Sequence, residues 1–152
     1  EKEEKMVAAL WQTSGEKLWE EGFIVPLDNE LSTGFGVKRI INNKKISVHK
    51  GLDICGDEGE EVRASNKGRV VLAEELFFGG NTVILDHGLG MFTVYMHLSA
   101  LRAAVDDIVQ RGDVIGLVGS SGRVSGPHLH FGVKVQSISI NPVSLFELKF
   151  EQ

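Results

Sequence analysis

From Phe23 onward the apolar residues fall in short runs cut by glycine-bearing turns. Residues 68–73, 81–86, 92–97, 113–118 and 128–135 are such runs, with glycine turns at 78–81, 87–90 and 120–122. Strand-length runs at this spacing predict a mainly β domain, a compact antiparallel sandwich or barrel-like fold. Residues 1–22 follow a different rule. Met6, Leu10 and Trp11 stand at helical spacing behind a charged start, and Gly22 can stop a helix. Gly15 counts against one continuous helix. Two parts are therefore expected: a helical linker or docking segment over 1–22 and the domain proper over 23–152. Asn141-Pro142 ahead of residues 143–146 predicts a closing turn of helix. The stretches 62–70 and 109–115 look alike, each an apolar strand followed by a glycine turn, which hints at an internal duplication.

Composition narrows the classes. With 152 residues, 42% hydrophobic, the chain can bury one ordinary core. Its 18 glycines exceed an average share and fit many tight turns. The formal charge of −5 leaves no basic footprint for nucleic acid. No apolar run approaches the ~18 residues of a membrane span. Cys55 is the single cysteine, so a cysteine-rich zinc site is ruled out and any zinc must be held by histidine and carboxylate.

The chemistry concentrates on the five histidines, His49, His87, His97, His128 and His130. His128 and His130 form His-x-His at the head of an apolar run. On a strand, residues i and i+2 share a face. Two adjacent imidazoles are poor core material, because their ring nitrogens need partners that a divalent metal supplies. His49 and Asp53, in His-x-x-x-Asp, add a nitrogen and an oxygen donor. Three protein donors with one open position is the catalytic rather than the structural pattern for zinc. Spacing alone leaves open which of His128 and His130 binds. His-Glu-x-x-His is absent, so a spare histidine is the candidate proton carrier. His87, between Asp86 and Gly88, reads as turn chemistry. Cys55 reads as a buried small hydrophobe.

These residues, in this order, resemble the lysostaphin/LytM-type zinc metallopeptidases, many of which are peptidoglycan endopeptidases. The likeness runs from about Phe23 to Phe146 and rests on several short segments. They include Ser32-Thr33-Gly34-Phe35-Gly36, His49-Lys50-Gly51-Leu52-Asp53-Ile54, Gly80-Asn81-Thr82-Val83-Ile84, Tyr95-Met96-His97-Leu98-Ser99, Gly126-Pro127-His128-Leu129-His130-Phe131 and Asn141-Pro142. The resemblance implies Zn2+ held by His49, Asp53 and His130. It places His97 and His128 beside the metal as catalytic acid/base or oxyanion donors, without dividing those roles. It also implies a compact β domain with an open groove. Asp106-Asp107 departs from the relatives, many of which carry a glycine before the Asp; aspartate tolerates turn backbones, so little effect is expected.

The expected activity is hydrolysis of peptide cross-links or stem-peptide bonds in bacterial peptidoglycan, in the periplasmic or extracellular envelope. A parent chain is then expected to carry an export signal or anchor upstream of Glu1, and an N-terminal domain is possible there. Two other classes compete. A non-hydrolytic activator of other cell-wall hydrolases would have lost site residues, yet all five positions are filled. A biotinyl or lipoyl carrier would need a hairpin-tip lysine, for which Lys67 is the loose candidate.

Overall fold

The structure, a computed structural model, describes residues 2–12, 15–20, 22–33, 36, 38–41, 45–48, 50–122 and 126–147. His49, Gly34, Phe35 and residues 123–125 thus lie outside the described residues. The elements run α1 (Lys2–Leu10), β1 (Leu31–Thr33), β2 (Lys38–Ile41), β3 (Lys45–Val48), β4 (Leu52–Cys55), β5 (Glu61–Arg63) and β6 (Gly68–Leu76). They continue with β7 (Gly80–Gly88), β8 (Met91–Leu101), β9 (Ile108–Val109), β10 (Val114–Val118), β11 (His128–Val135), β12 (Ile138–Ile140) and α2 (Pro142–Glu147).

Ten strands form one antiparallel sheet in the order β1-β4-β11-β8-β7-β6-β9. β12 pairs with β11, and β10 pairs with the far end of β8 and with β5; β2 and β3 form a separate hairpin. The mainly β, antiparallel expectation holds, with an open sheet rather than a closed barrel. The closing helix falls where Asn141-Pro142 places it, at α2. The look-alike stretches 62–70 and 109–115 turn out to be neighbours: Arg63 pairs with Val114 and Gly68 with Val109.

Alternation sets the core. Leu52 and Ile54 of β4, Leu129, Phe131 and Val133 of β11, and Val83 and Leu85 of β7 all turn one way into the main cluster. A β-bulge in β6 between Val70 and Leu72 changes the parity of that strand. Val70 therefore faces the main cluster, while Leu72 joins Ile84, Phe92 and Val94 in a second cluster. α1 covers this second cluster with Val7, Leu10 and Trp11, spaced to share one helix face. The Trp11 ring meets Phe92 edge-on, with centroids 5.0 Å apart.

The chain after α1 is tied down as well. The Leu18 and Trp19 amides both donate to the His87 carbonyl, at 2.7 and 3.2 Å. Asn66 brackets Glu20, its Oδ1 accepting from the Glu20 amide and its Nδ2 donating to the Glu20 carbonyl. Gly88 must be glycine: its φ is +96°, and a Cβ there would run into the Glu16 carbonyl. A chain starting near Gly22 is expected to keep the metal site, because none of these contacts reaches it. Baring Leu72, Ile84 and Phe92 should still lower its unfolding free energy by on the order of 3 kcal/mol. Zinc stoichiometry beside urea denaturation checks both halves; a folded but metal-free product would make 1–22 part of the domain core.

His87 is not turn chemistry. It is fully buried, and it heads a chain of hydrogen bonds satisfied in one tautomer. The Ser65 amide donates to the Tyr95 hydroxyl (3.0 Å), and that hydroxyl lies 2.8 Å from Thr93 Oγ1. Thr93 Oγ1 lies 2.7 Å from His87 Nε2, and His87 Nδ1 donates to the Lys67 carbonyl at 2.8 Å. The alternation of β7 and β8 carries these polar groups inward, and pairing them removes the cost of burying them. Asp106, at the departing turn, has φ +77°, the left-handed backbone that a glycine would adopt freely.

Candidate metal centre and active site

Three neighbouring strands bring the candidate side chains to one sheet face. In the β4–β11 pairing His130 sits directly opposite Asp53 and His128 opposite Cys55. Directly opposed residues project to the same side. Since Leu52, Ile54 and Leu129 take the core side, Asp53, Cys55, His128 and His130 take the other. Cys55 is accordingly exposed, a correction to the buried-hydrophobe expectation; its place in the β4 alternation decides this against its residue type.

His130 Nδ1 lies 3.0 Å from Asp53 Oδ1, and His128 Nε2 lies 3.7 Å from the same oxygen. His97 reaches this face by a second β-bulge. Between Asn81 and Val83 of β7, β8 advances from Leu98 back to Tyr95, one residue more. Strict alternation would send His97 to the core beside Tyr95. The extra residue, with His97 at φ +67°, turns it outward instead. Its ring centroid stands 5.1 Å from that of His128 and 6.1 Å from that of His130. No sequence signal marked this bulge.

Two backbone carbonyls orient the outer imidazoles. His97 Nδ1 donates to the Ser121 carbonyl at 2.9 Å, and His128 Nδ1 donates to the Gly126 carbonyl at 3.0 Å. A proton fixed on Nδ1 leaves the lone pair on Nε2. Burial pushes the His97 pKa down to about 4; the neighbouring His128 and His130 add to this, and the Ser121 hydrogen bond opposes it. His97 is therefore a neutral imidazole near pH 7. Ser121 is itself anchored, its Oγ donating to the Leu98 carbonyl at 2.6 Å and accepting from the Asn81 amide at 2.9 Å.

Among the described residues no three His, Cys, Asp or Glu side chains form a metal cage; His49 lies outside them. The donor set nevertheless fits a divalent ion such as zinc. A carboxylate oxygen and an imidazole nitrogen converge from adjacent strands, both hard-to-borderline donors suited to zinc.

Recesses flank the site on two sides. One lies past His128, lined by Asn29, Glu30, Asp57 and Glu60 among others, with a volume of about 580 Å³. There the Asp57 amide and the Asn29 side chain hold the Glu60 carboxyl below its usual range. The other, about 350 Å³, opens beyond His130 between α1 and the sheet. Phe77 and Phe78 are exposed at the β6–β7 tip with rings 4.8 Å apart. Phe78 lines the second recess.

Residues 47–142 match the model of Peptidase family M23, and the chain belongs to that family. It is 41% identical over 98 residues to the DD-carboxypeptidase/endopeptidase Mpg of Neisseria meningitidis, covering 64% of this chain and 23% of that protein. It is 39% identical over 93 residues to the murein hydrolase activator EnvC of Escherichia coli, covering 61% and 22%. The chain thus spans under a third of the length of the curated relatives it matches. Among solved structures, a peptidase M23 from Pseudomonas aeruginosa superposes with a TM-score of 0.84 at 30% identity, over 99% of this chain and 61% of that one. A zinc containing peptidase from Vibrio cholerae superposes with a TM-score of 0.75 at 26% identity, over 90% and 41%.

Proposed function

We propose that this chain is the catalytic domain of a zinc metalloendopeptidase that hydrolyses peptide bonds of bacterial peptidoglycan in the cell envelope. The observation that carries the reading is the meeting of Asp53, His130, His128 and His97 on one open sheet face, two of them turned there by a bulge and a carbonyl clamp. His49, Asp53 and His130 are the proposed zinc ligands. Zinc held there supplies Lewis acidity toward a scissile carbonyl and toward the attacking water.

The protein's own groups supply the proton chemistry. His97 and His128 each keep Nδ1–H on a carbonyl, so each presents Nε2 to the site. One takes the proton of the attacking water, and the other lies where a proton on its Nε2 would reach the developing oxyanion. The groove's two recesses give an extended peptide room on both sides of these rings. The substrate is the peptide part of the wall, cross-links or stem peptides, which fits the relatives' peptidase names.

The match to an activator keeps one rival reading in play, regulation of other hydrolases without cleavage. Incubating the zinc-loaded chain with purified peptidoglycan and identifying the products by mass spectrometry separates the two. New free amino and carboxyl ends are expected, and chelation should abolish them. An intact sacculus, together with stimulation of an added hydrolase, would make the chain an activator.

A further inference from the structure

The bulge that turns His97 outward is held by two side chains that belong to neither half of it. Asn81 pairs with Leu98 and Val83 with Tyr95, so Met96 and His97 together stand opposite Thr82. A bulge takes backbone polar groups out of the regular ladder, and these must find other partners. The His97 amide donates to the Gly79 carbonyl at 2.7 Å. The Leu98 carbonyl accepts two side-chain donors, Ser121 Oγ at 2.6 Å and Asn81 Nδ2 at 3.0 Å. Ser121 Oγ in turn accepts the Asn81 amide at 2.9 Å. A hydroxyl has one proton; here Leu98 takes it, which leaves a lone pair for Asn81. Asn81, Ser121 and Leu98 thus close a ring in which every direction of donation is fixed.

Ser121 lies in the turn after β10, outside both strands of the bulge. Its hydroxyl grips the backbone just past His97, and its carbonyl accepts His97 Nδ1–H at 2.9 Å. One residue therefore holds both the backbone that turns and the ring that is turned. The turn needs holding: His97 has φ +67°, a left-handed backbone that a residue with a Cβ keeps only where its surroundings enforce it. Asn81 and Ser121 are only half-buried. Water can enter to satisfy the Leu98 carbonyl if either side chain is cut back, so the sheet survives the loss. Water cannot tie the bulge to the ring.

We propose that Asn81 and Ser121 are positioning residues for the hydrolysis: they lock the β8 bulge and the His97 tautomer together, so that Nε2 of His97 stays aimed at the site. The inference rests on the peptide-hydrolase reading above and assigns two side chains that act through His97 alone.

The test pairs kinetics with the ring signals of His97. The zinc-loaded chain, labelled in its histidine ring nitrogens, is compared with Ser121→Ala, Ser121→Thr and Asn81→Asp. Aspartate keeps the size of asparagine and removes the donor to the Leu98 carbonyl. On soluble cross-linked peptide prepared from peptidoglycan, Ser121→Ala and Asn81→Asp should lower kcat roughly tenfold or more, with KM and zinc content unchanged. Ser121→Thr keeps the hydroxyl and should recover most of kcat. In long-range proton–nitrogen NMR spectra the two His97 nitrogens should be well separated in the unaltered chain and in Ser121→Thr, with the proton on Nδ1. They should converge in the other two variants, as the tautomer is freed. His128, clamped by Gly126 instead, should not change. A fixed His97 tautomer or an unchanged kcat in Ser121→Ala and Asn81→Asp overturns the proposal. So does a loss of zinc that parallels the loss of kcat, or a Ser121→Thr chain that behaves like Ser121→Ala. Should Ser121→Ala fail to fold, Asn81→Asp decides alone. If the unaltered chain cleaves nothing, the hydrolase reading has failed on its own, and the His97 ring signals judge the positioning role by the same outcomes.

Discussion

Replacing His130 with alanine is expected to strip the chain of zinc and of activity together, whereas His128→Ala keeps the metal and slows turnover by roughly 10²–10³. The two residues sit two apart on one strand and both lie within 3.7 Å of Asp53 Oδ1, so proximity does not separate them. The expected split follows the family resemblance. His128 donates Nδ1–H to the Gly126 carbonyl, which fixes its tautomer and directs the Nε2 lone pair toward the site. His130 Nδ1 faces Asp53 Oδ1 at 3.0 Å, and these two are the proposed ligand pair. Asp53→Ala should behave like His130→Ala, and His97→Ala like His128→Ala. Zinc content by metal analysis beside hydrolysis rate reads out all four. Loss of metal in His128→Ala with retention in His130→Ala would reverse the ligand assignment. Full activity in both His97→Ala and His128→Ala would dismiss the proton chemistry while leaving the metal site standing.

The second large effect is on stability in acid and comes from a residue outside the site. Burial pushes the His87 pKa down to about 4; its hydrogen bond to Lys67 and the nearby Asp86 oppose this without overcoming it. In the unfolded chain the ring titrates near its ordinary 6.5. Above that pH both states are neutral and the ring adds no pH dependence. Below it the unfolded chain takes up a proton that the folded chain refuses, so stability falls as pH drops from 6.5 toward 4. At about 1.36 kcal/mol per pH unit, that gap corresponds to about 3 kcal/mol. Urea unfolding between pH 7.5 and 4.5 should show this slope, and His87→Asn should lack it. Parallel profiles for the two proteins would mean that the buried ring takes up its proton as readily as the unfolded chain does.

The strands of the central sheet were legible because their apolar runs are bounded by glycine turns, and β11 was found residue for residue. Short strands at the margins, such as β1 and β12, escaped because three residues carry no period to detect. The shared face of His128 and His130 followed from strand parity alone. His97 did not, since alternation places it in the core and only the bulge in β8 brings it out. His87 was misread for the opposite reason. A histidine beside a glycine looks like a turn, and the partners that make it a core residue, Thr93 and Lys67, are remote in the chain. Cys55 was misread because its residue type was given more weight than its parity with Asp53.

The β6–β7 hairpin carries residues of very different latitude. At its root, Gly80 (φ +64°) and Gly122 (φ +81°) press backbone against backbone, and a Cβ on either would run into the other segment. That press seats Ser121, whose carbonyl holds the His97 ring. At its tip, Phe77 and Phe78 stand in solvent. Under the proposed function, substrate contact at the tip and proton chemistry at the root are separable parts of this hairpin. An engineer can exchange the two tip residues to retune which peptides are grasped, provided that the glycine root, which sets the proton carrier in place, is carried over unchanged.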